Sequence, residues 1–266
     1  MDWKVVFPQG ATKALTFSYD DGRDHDRRLV EILNKHSLKG TFHLNSGRLG
    51  MPGHIEASEA KDLYAGHEIS CHGVEHLWLS HSPEDSIIRE LWEDRRGLES
   101  LAHYPVRGMS YAFGDYPVGL PERLPFLGIE YARTVRSTFS FDCPKSFLEW
   151  NPTCHHNAPN LMELAERFVK FPAYKGFSIF YLWGHSYEFA DQGNWNVIED
   201  FCSSFDGAKD IWFATNIEIC RYVNAARYLA TSVDGNMIQN RSGANLSIRK
   251  SSGELLALEP GGELSL

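Results

Sequence analysis

The chain has 266 residues, of which 42% are hydrophobic and 23% are charged. This composition is typical of a folded globular protein with a large core and excludes a disordered chain. Its 26 basic and 35 acidic residues give a formal charge of −9 without any basic block, which argues against a nucleic acid partner, because phosphates are bound by clustered lysine and arginine.

Short apolar segments alternate with helix-like segments from the start of the chain. The apolar segments predict buried parallel strands, and they are Ala14–Tyr19, Gly40–Leu44, His67–Cys71, Val106–Tyr111, Ile129–Val135, Phe177–Trp183 and Ile211–Ala214. Among the helix-like segments, Asp24–His36 has one apolar face. Ser82-Pro83-Glu84-Asp85 predicts a helix start, with serine as N-cap and proline at the first helical position. Seven strands alternating with helices favour an α/β barrel over an open sheet.

The end of the chain has a different pattern. After Tyr228, glycine-containing turns separate short apolar segments such as Asn245–Arg249 and Glu254–Leu258, which is typical of a few antiparallel strands. A unit this small is not stable alone. We therefore predict a barrel over residues 1–228 and a small C-terminal β extension over residues 229–266 that packs on it.

Cysteines and apolar segments bear on the cellular compartment. The cysteines are scattered, odd in number and without a CxxC pair, which favours reduced thiols; they are Cys71, Cys143, Cys154, Cys202 and Cys220. The N-terminus lacks a long apolar signal segment, and no stretch of about 18 apolar residues occurs. We expect a cytoplasmic protein with no membrane partner, and the sequence does not reveal the oligomeric state.

Two adjacent carboxylates follow the first predicted strand, in Ser18-Tyr19-Asp20-Asp21-Gly22. Burying them is costly unless a metal ion or a proton compensates their charge. Active sites of such barrels form at the C-terminal ends of the strands, and Gly22 permits a turn that points both side chains into one pocket. The alternative is a polar loop in which one aspartate caps the next helix.

Two histidines follow the third predicted strand, in His72-Gly73-Val74-Glu75-His76. Histidines four residues apart meet on one face of a helical turn and can bind one metal ion. The alternative is a pair of loop histidines bonded to the backbone. Because this motif and the acidic pair end neighbouring strands, we expect Asp21, His72 and His76 to form a two-histidine, one-carboxylate metal site with open positions for water and substrate.

Two further motifs belong to later strands. His185 follows the apolar strand ending in Trp183-Gly184, where it could donate a proton or be a core or capping histidine. In the segment from Arg107 to Gly114, Arg107 could pair with a carboxylate and the Tyr111 backbone N–H could face an oxyanion, or both could be structural. His155 and His156 could line the pocket, lie in a loop or form a separate metal site, and we favour the pocket or the loop.

The order of these motifs resembles that of the polysaccharide deacetylase family, also called the NodB-homology family or carbohydrate esterase family 4. The acidic DDG motif, HxxxH about 50 residues later, an arginine–aromatic–glycine loop and a Trp-Gly-His strand end occur between about residues 13 and 190. The resemblance implies a distorted (β/α)7 barrel and a divalent metal ion, commonly zinc. It also implies Asp20 as general base, His185 as general acid, and a set of metal ligands formed by Asp21, His72 and His76.

The chain departs from the family pattern at three motifs. Gly73 stands where the family usually has serine or threonine, which predicts the loss of a hydrogen bond that fixes the loop. The Arg-x-Pro-aromatic motif becomes Arg107-Gly-Met-Ser-Tyr111. The Asp-x-x-Asp-Trp motif, which in the family partners the arginine and the acid histidine, has only Asn194-Trp195 and Arg133 as weak substitutes.

The expected function is metal-dependent removal of an acetyl group, an N-acetyl group first of all, from a carbohydrate or amino sugar. Asp20 would take a proton from the attacking water, and the metal ion and the Tyr111 N–H would stabilise the oxyanion. His185 would protonate the leaving group. The expected partner is thus an acetylated saccharide.

Three other functions fit part of the pattern. His72–His76 reads H-x-x-E-H, the inverted zinc-peptidase motif, but Gly73 and Val74 are poor helix formers and the aspartate pair would have no role. A non-catalytic sugar-binding module would account for the seven tryptophans, although the acidic and histidine motifs are retained. Hydrolysis of an amide that is not a sugar, on the same fold, stays open.

Overall fold

The computed structural model describes residues 2–172 and 176–266. Its strands are β1 (Trp3–Val6), β2 (Lys13–Asp20), β3 (Gly40–Leu44), β4 (Glu68–Cys71), β5 (Gly108–Ser110), β6 (Tyr131–Arg133), β7 (Cys154–His155), β8 (Ser178–Gly184), β9 (Ile211–Phe213), β10 (Leu229–Thr231), β11 (Met237–Asn240), β12 (Leu246–Lys250), β13 (Leu255–Leu258) and β14 (Glu263–Ser265). Its α-helices are α1 (Asp26–Lys35), α2 (Ala60–Leu63), α3 (Glu84–Ala102), α4 (Leu120–Arg123), α5 (Leu161–Val169), α6 (Ser186–Asp191), α7 (Asn196–Ser203) and α8 (Asn216–Arg227). None of the described helices is long and apolar enough to span a membrane.

One parallel sheet forms the barrel. Its strands lie in the order β6-β5-β4-β3-β2-β8-β7, and β9 pairs with the first residues of β2. Trp150 pairs in parallel with Arg133 of β6, so the segment from Trp150 to β7 links the two ends of the sheet. The predicted distorted (β/α)7 barrel is confirmed.

The hydrophobic pattern locates the barrel strands because they are buried on both faces. All eight residues of β2 and all seven of β8 are buried, and the seven predicted strands occur as β2 to β6, β8 and β9. The pattern does not predict β1 or the two-residue β7. The predicted serine cap of α3 is wrong: Pro83 is the N-cap, and Ser82 Oγ donates to the Trp78 carbonyl instead (2.8 Å).

The β extension consists of two antiparallel sheets of three strands, β1-β12-β13 and β10-β11-β14. Strands β12 and β13 correspond to the two predicted tail strands, while β1 comes from the N-terminal end of the chain. Tyr222 of α8 ties this unit to the barrel, because its hydroxyl donates to the Val6 carbonyl (2.5 Å) and accepts from the Ser247 N–H (3.0 Å). The boundary at residue 228 stays a prediction.

Candidate metal and catalytic site

The C-terminal ends of β2 and β4 meet at one rim of the barrel. Asp20 is the last residue of β2, Asp21 follows it, and His72 follows β4. The Asp21 N–H donates to the His43 carbonyl (2.9 Å) and the His72 N–H to the Leu44 carbonyl (3.0 Å). Both acceptor carbonyls belong to β3. Strand β3 therefore holds the segment after β2 and the segment after β4 at the same end of the sheet.

Three residues at this rim have a left-handed backbone. Asp21 has a φ of 80°, while His76 and Phe113 each have a φ of 59°. Non-glycine residues rarely adopt this conformation, which costs about 1–3 kcal/mol and tends to occur at functional sites. Phe113 packs its ring edge to face against His76, with centroids 4.3 Å apart. The strained residues therefore lie around one small volume.

The segment after His72 is a loop, so the predicted helical turn is wrong. Gly73, with a φ of 85°, and His76 reverse the chain and still bring the two histidine rings to a centroid distance of 4.6 Å. The inverted zinc-peptidase motif needs its histidines and glutamate on one helix. Because Glu75 is exposed on this loop, that alternative is excluded.

The side chains of Asp21, His72 and His76 have the spacing of a metal ligand set. His72 Nε2 lies 3.6 Å and His76 Nε2 lies 3.7 Å from Asp21 Oδ1, and all three ligand atoms lie within 4.8 Å of one another. These separations are too long for hydrogen bonds. Two ligands of a tetrahedral zinc ion lie roughly 3.4 Å apart, so the three residues fit a divalent ion.

The hydrogen bonds of His72 leave the correct nitrogen free for a metal ion. Its Nδ1 lies 3.0 Å from the Ser110 carbonyl and 2.7 Å from Ser110 Oγ. Because a carbonyl only accepts, Nδ1 carries the hydrogen. Nε2 is then a lone pair that faces Asp21, which is the usual arrangement of a metal-binding histidine.

Acidic residues of α3 fix the loop that carries both histidines. Asp94 accepts hydrogen bonds from the N–H groups of His72 (2.9 Å) and Gly73 (2.8 Å), and Glu90 accepts one from Glu75 (2.9 Å). A Cβ atom at position 73 would lie 2.5 Å from Glu90 Oε1, so this loop requires glycine. The hydrogen bonds from α3 take over the loop-fixing role that Gly73 cannot fill.

Asp20 is buried beside this ligand set and has its own partners. Arg133 Nη2 donates to Asp20 Oδ2, and Ser110 Oγ donates to Oδ1 (3.2 Å). Burial alone would raise the pKa of Asp20, but the guanidinium of Arg133, with help from nearby histidines, holds the pKa well below its usual range. Arg133 is itself fully buried and stacks on Trp183, with the guanidinium 4.4 Å from the ring centroid.

Two predicted site residues do not have the predicted roles. Arg107 precedes β5 and so lies at the opposite end of that strand from the rim, where its Nη1 donates to the Gly128 carbonyl (3.2 Å). The Tyr111 N–H donates to the Arg133 carbonyl (3.0 Å), and its hydroxyl donates to the Leu148 carbonyl (2.8 Å). The expected roles of Arg107 as carboxylate partner and of the Tyr111 N–H as oxyanion donor are therefore wrong.

His185 follows β8 at the same rim and has a carboxylate neighbour. Its Nδ1 lies 3.5 Å from Glu188 Oε2, and its backbone N–H donates to the same oxygen (3.3 Å). Burial lowers the pKa of His185, but Glu188, Asp20 and Asp21 outweigh burial and raise the pKa above its usual value. A charged imidazole at this position can donate a proton.

His155 and His156 also lie against Glu188. Their Nε2 atoms are 3.2 Å and 3.0 Å from Glu188 Oε2. His155, His185 and Glu188 thus form a second group whose possible ligand atoms lie within 4.8 Å of one another.

Sequence reasoning misses Ser110 and Glu188 and treats Arg133 only as a weak substitute. Glu188 has a readable signal, because His185 and Glu188 are three residues apart at a helix start, where they become neighbours. Arg133 has no comparable signal, since the predicted strand Ile129–Val135 continues past it, whereas β6 ends at Arg133.

The polysaccharide deacetylase family model matches residues 8–132 of this chain. No curated protein matches the chain. Among solved structures, a Mycobacterium smegmatis protein assigned as a polysaccharide deacetylase is 18% identical with a TM-score of 0.64, and the match covers 84% of this chain and 94% of that one. A Pseudomonas aeruginosa PAO1 protein with the same assignment is 14% identical with a TM-score of 0.61, covering 81% and 92%.

A third similar structure is a carbohydrate esterase family 4 pseudoenzyme from Bacillus anthracis. It is 17% identical with a TM-score of 0.50, and the match covers 82% of this chain and 68% of that one. Identities this low show a shared fold, and the pseudoenzyme shows that the fold alone does not establish activity. The motifs, the family match over residues 8–132 and the shared barrel together confirm the resemblance of this chain to the polysaccharide deacetylase family.

Proposed function

We propose that this protein is a metal-dependent hydrolase that removes acetyl groups, N-acetyl groups first of all, from a carbohydrate or amino sugar. The observation that carries the proposal is the ligand set of Asp21, His72 and His76 beside a separately held Asp20. Metal-dependent hydrolysis needs a base and a metal site side by side, and these residues provide an ionised Asp20 beside three potential ligand atoms that form no hydrogen bonds with one another.

Asp21, His72 and His76 would hold the metal ion, and zinc suits this set of one oxygen and two nitrogen donors. When bound, a divalent ion supplies an acidified water and polarises the acetyl carbonyl. Asp20 is ionised and has Arg133 and Ser110 on its two oxygens. It is therefore positioned to accept a proton without leaving its hydrogen bonds.

His185 completes the acid–base pair. It lies at the same rim as Asp20, and nearby Glu188, Asp20 and Asp21 raise its pKa, which favours the charged imidazole that a proton donor needs. After Asp20 takes one proton, His185 gives one to the leaving nitrogen or oxygen, as acid–base catalysis requires. The two residues thus have opposite protonation states at the start of the reaction.

The surroundings of the site support a saccharide substrate. Trp78 and Phe113 are about half exposed and stack on each other, with ring centroids 4.2 Å apart beside His76. A cavity of about 570 Å³ borders Thr134, the residue after Arg133, and hydroxyl side chains such as Thr138 and Ser146 line it together with the amide of Asn151. Aromatic faces and polar groups are what a hydroxyl-rich ring can use for binding.

The metal assignment predicts that His72→Ala and His76→Ala each lose the ion. Either change removes one of three protein ligands, and the remaining two cannot form a catalytic site of the usual three-ligand kind. Elemental analysis of protein purified with added zinc should show one ion per chain in the wild type and little in either variant, with acetate release lost in parallel.

The control for these variants is His103→Asn. His103 is exposed at the end of α3 in a left-handed conformation that asparagine tolerates. Its metal content and activity should match those of the wild type. Full metal content in both His72→Ala and His76→Ala would show that the ion binds elsewhere.

The role of His185 as proton donor predicts a dependence on the leaving group. His185→Ala should lose most activity on an unactivated acetamide, because an amine anion cannot leave without a proton. It should lose much less on an acetyl ester with a good leaving group. In the wild type, acetamide hydrolysis should fall as pH rises through the pKa of His185, which its carboxylate neighbours raise above the usual value.

Equal losses on the acetamide and the activated ester would show that His185 binds or orients substrate and does not protonate it. Hydrolysis rates of both substrates across the pH range, with metal content measured alongside, decide between the two.

The function itself is tested by acetate release from a panel of N-acetylated and O-acetylated saccharides. Acetylated amides that are not sugars belong in the same panel, since they represent the alternative substrate class. Faster release from the saccharides supports the proposal. Release of acetate only from the non-sugar amides would support hydrolase activity but contradict the proposed saccharide substrate.

A further inference from the structure

The second histidine cluster is built around one carboxylate oxygen. His155 Nε2, His156 Nε2 and His185 Nδ1 lie 3.2, 3.0 and 3.5 Å from Glu188 Oε2. Two uses are compatible with this geometry: a second metal site, or a carboxylate held by histidine N–H groups. The tautomers of the histidines distinguish the two uses.

His155 has the opposite hydrogen-bond pattern from the metal-ligand candidate His72. The Asn157 backbone N–H donates to His155 Nδ1 (3.1 Å), so Nδ1 is an acceptor. In a neutral imidazole the other nitrogen must then carry the hydrogen. His155 Nε2 therefore carries a hydrogen 3.2 Å from Glu188 Oε2 and has no lone pair for a metal ion, whereas His72 carries its hydrogen on Nδ1 and leaves Nε2 free.

His156 is a neutral, fixed neighbour of Glu188. It is 1% exposed and lies against the rings of Tyr19 and Phe189, with centroid distances of 5.8 and 4.1 Å. Burial lowers the pKa of His156 to about 4. Gly184 makes room for it, because a Cβ atom there would come within 2.0 Å of His156 Nδ1. A neutral ring can orient Glu188 without cancelling its charge.

We propose that Glu188 is a positioning residue that holds the His185 imidazolium at Nδ1, with His155 and His156 as its neutral supports, and that this cluster binds no second metal ion. The inference rests on the proposed function, in which His185 is the proton donor. It gives this chain a carboxylate partner for His185 from α6, in place of the missing Asp-x-x-Asp-Trp motif.

The proton balance of the step is simple. The N–H bond at His185 Nε2 breaks as an N–H bond forms on the leaving amine and the C–N bond to the acetyl carbon breaks. His185 becomes neutral and keeps its other hydrogen at Nδ1, the nitrogen that lies 3.5 Å from Glu188 Oε2. Glu188 stays a carboxylate throughout, because the three nearby histidines outweigh its burial and hold its pKa well below the usual range.

Several other charged or titratable groups face His185. The carboxylates of Asp20 and Asp21 lie at the end of β2, and the histidines His155 and His156 lie at the end of β7. Helix α6 contributes Tyr187, whose ring is covered by the guanidinium of Arg23. Asp20 is already paired with Arg133, and Asp21 would be a metal ligand. Glu188 is thus the carboxylate left to balance a charge on His185.

The experiment replaces the charge of Glu188 and follows His185 directly. In zinc-loaded protein, the His185 imidazole is titrated by NMR in the wild type and in Glu188→Gln, with His185→Gln used to assign its signal. Glutamine keeps an acceptor oxygen and removes the charge, so the pKa of His185 should fall by about 1–3 pH units. The alkaline limb of acetamide hydrolysis should move down by the same amount, while hydrolysis of the activated ester changes little.

Two further variants make the result specific. Glu163→Gln removes an exposed acid from α5 and should leave the titration of His185 unchanged. His155→Gln, at a half-buried position, removes one support of Glu188 and should lower the pKa of His185 by less than Glu188→Gln does. It also provides the test if Glu188→Gln fails to fold.

Three results would overturn the inference. One is a His185 pKa that is the same in Glu188→Gln and in the wild type. Another is an equal loss of activity on both substrates with an unchanged pH profile. The last is a second equivalent of zinc in the wild type that disappears in Glu188→Gln. If the wild type releases no acetate from any substrate, the proposed function fails, but the NMR titration and the zinc stoichiometry still test the cluster.

Discussion

Asp20→Asn is expected to slow acetyl release by about 10²–10⁴-fold, the usual contribution of a general base or acid. Asparagine has nearly the same shape and keeps one acceptor oxygen, but it cannot take a proton from water. The bound metal should stay, because Arg133 and Ser110 occupy the oxygens of Asp20 while Asp21, His72 and His76 form the proposed ligand set.

The measurement pairs acetate release with elemental analysis in three variants. Asp20→Asn should lose activity alone, and Asp21→Asn should lose activity and metal together. Asp62→Asn, an exposed aspartate on α2, should lose neither. His72 Nε2 lies 3.7 Å from Asp20 Oδ2, almost as near as it lies to Asp21 Oδ1 (3.6 Å). Loss of metal in Asp20→Asn would therefore identify a four-ligand site and remove Asp20 from the role of base.

The barrel is readable from the sequence because its strands are buried on both faces. A mostly apolar segment such as Phe177–Trp183, bounded by polar and glycine residues, is too short for a typical buried helix and fits a covered strand. Strand β1 is harder to read, since its partner β12 lies more than 200 residues away along the chain and pairing at that range leaves no local pattern. β7 is only two residues long, and its place depends on how Trp150 and β8 pair around it.

Site residues can be predicted from the sequence where they lie at the ends of predicted strands. They cannot be predicted where the direction or register of a strand determines which residues meet. Asp20 is the last residue of β2, and Asp21, His72 and His185 directly follow strands, so parallel strands bring all four to one rim. Arg107 is also next to a strand, but it precedes β5 and lies at the other end. Arg133 reaches Asp20 because β6 lies at the right distance around the barrel, which no local spacing indicates.

The Tyr111 N–H shows a related limit. The expected oxyanion role assumes a free N–H after β5, and the ladder between β5 and β6 continues one residue further and uses it. Whether a backbone N–H is free depends on the neighbouring strand, so the residue's own sequence context cannot decide it.

Arg133→Met is expected to lower the free energy of unfolding by about 3–5 kcal/mol, the usual cost of breaking a buried ion pair from one side. Arg133 is 0% exposed and Asp20 is 2% exposed, so the variant leaves a buried carboxylate without its cation. Methionine has a similar length and can still pack against Trp183. Acetyl release should fall as well, because Asp20 loses the group that orients it.

A double-mutant cycle separates the ion pair from the packing of the long side chain. In Arg133→Met with Asp20→Asn, no buried charge remains uncompensated, so the double variant should be more stable than the sum of the two single changes predicts. Urea denaturation of metal-free protein is the measurement, since a bound ion would add its own stabilisation.

The matched control is the exposed pair of Arg221 and Glu130, whose side chains are 54% and 37% exposed and form two hydrogen bonds. Arg221→Met should cost no more than about 1 kcal/mol, because solvent screens an exposed pair. If Arg133→Met costs no more than Arg221→Met, then Asp20 does not depend on Arg133 for its charge. The base would then have to be held ionised by the histidines around it.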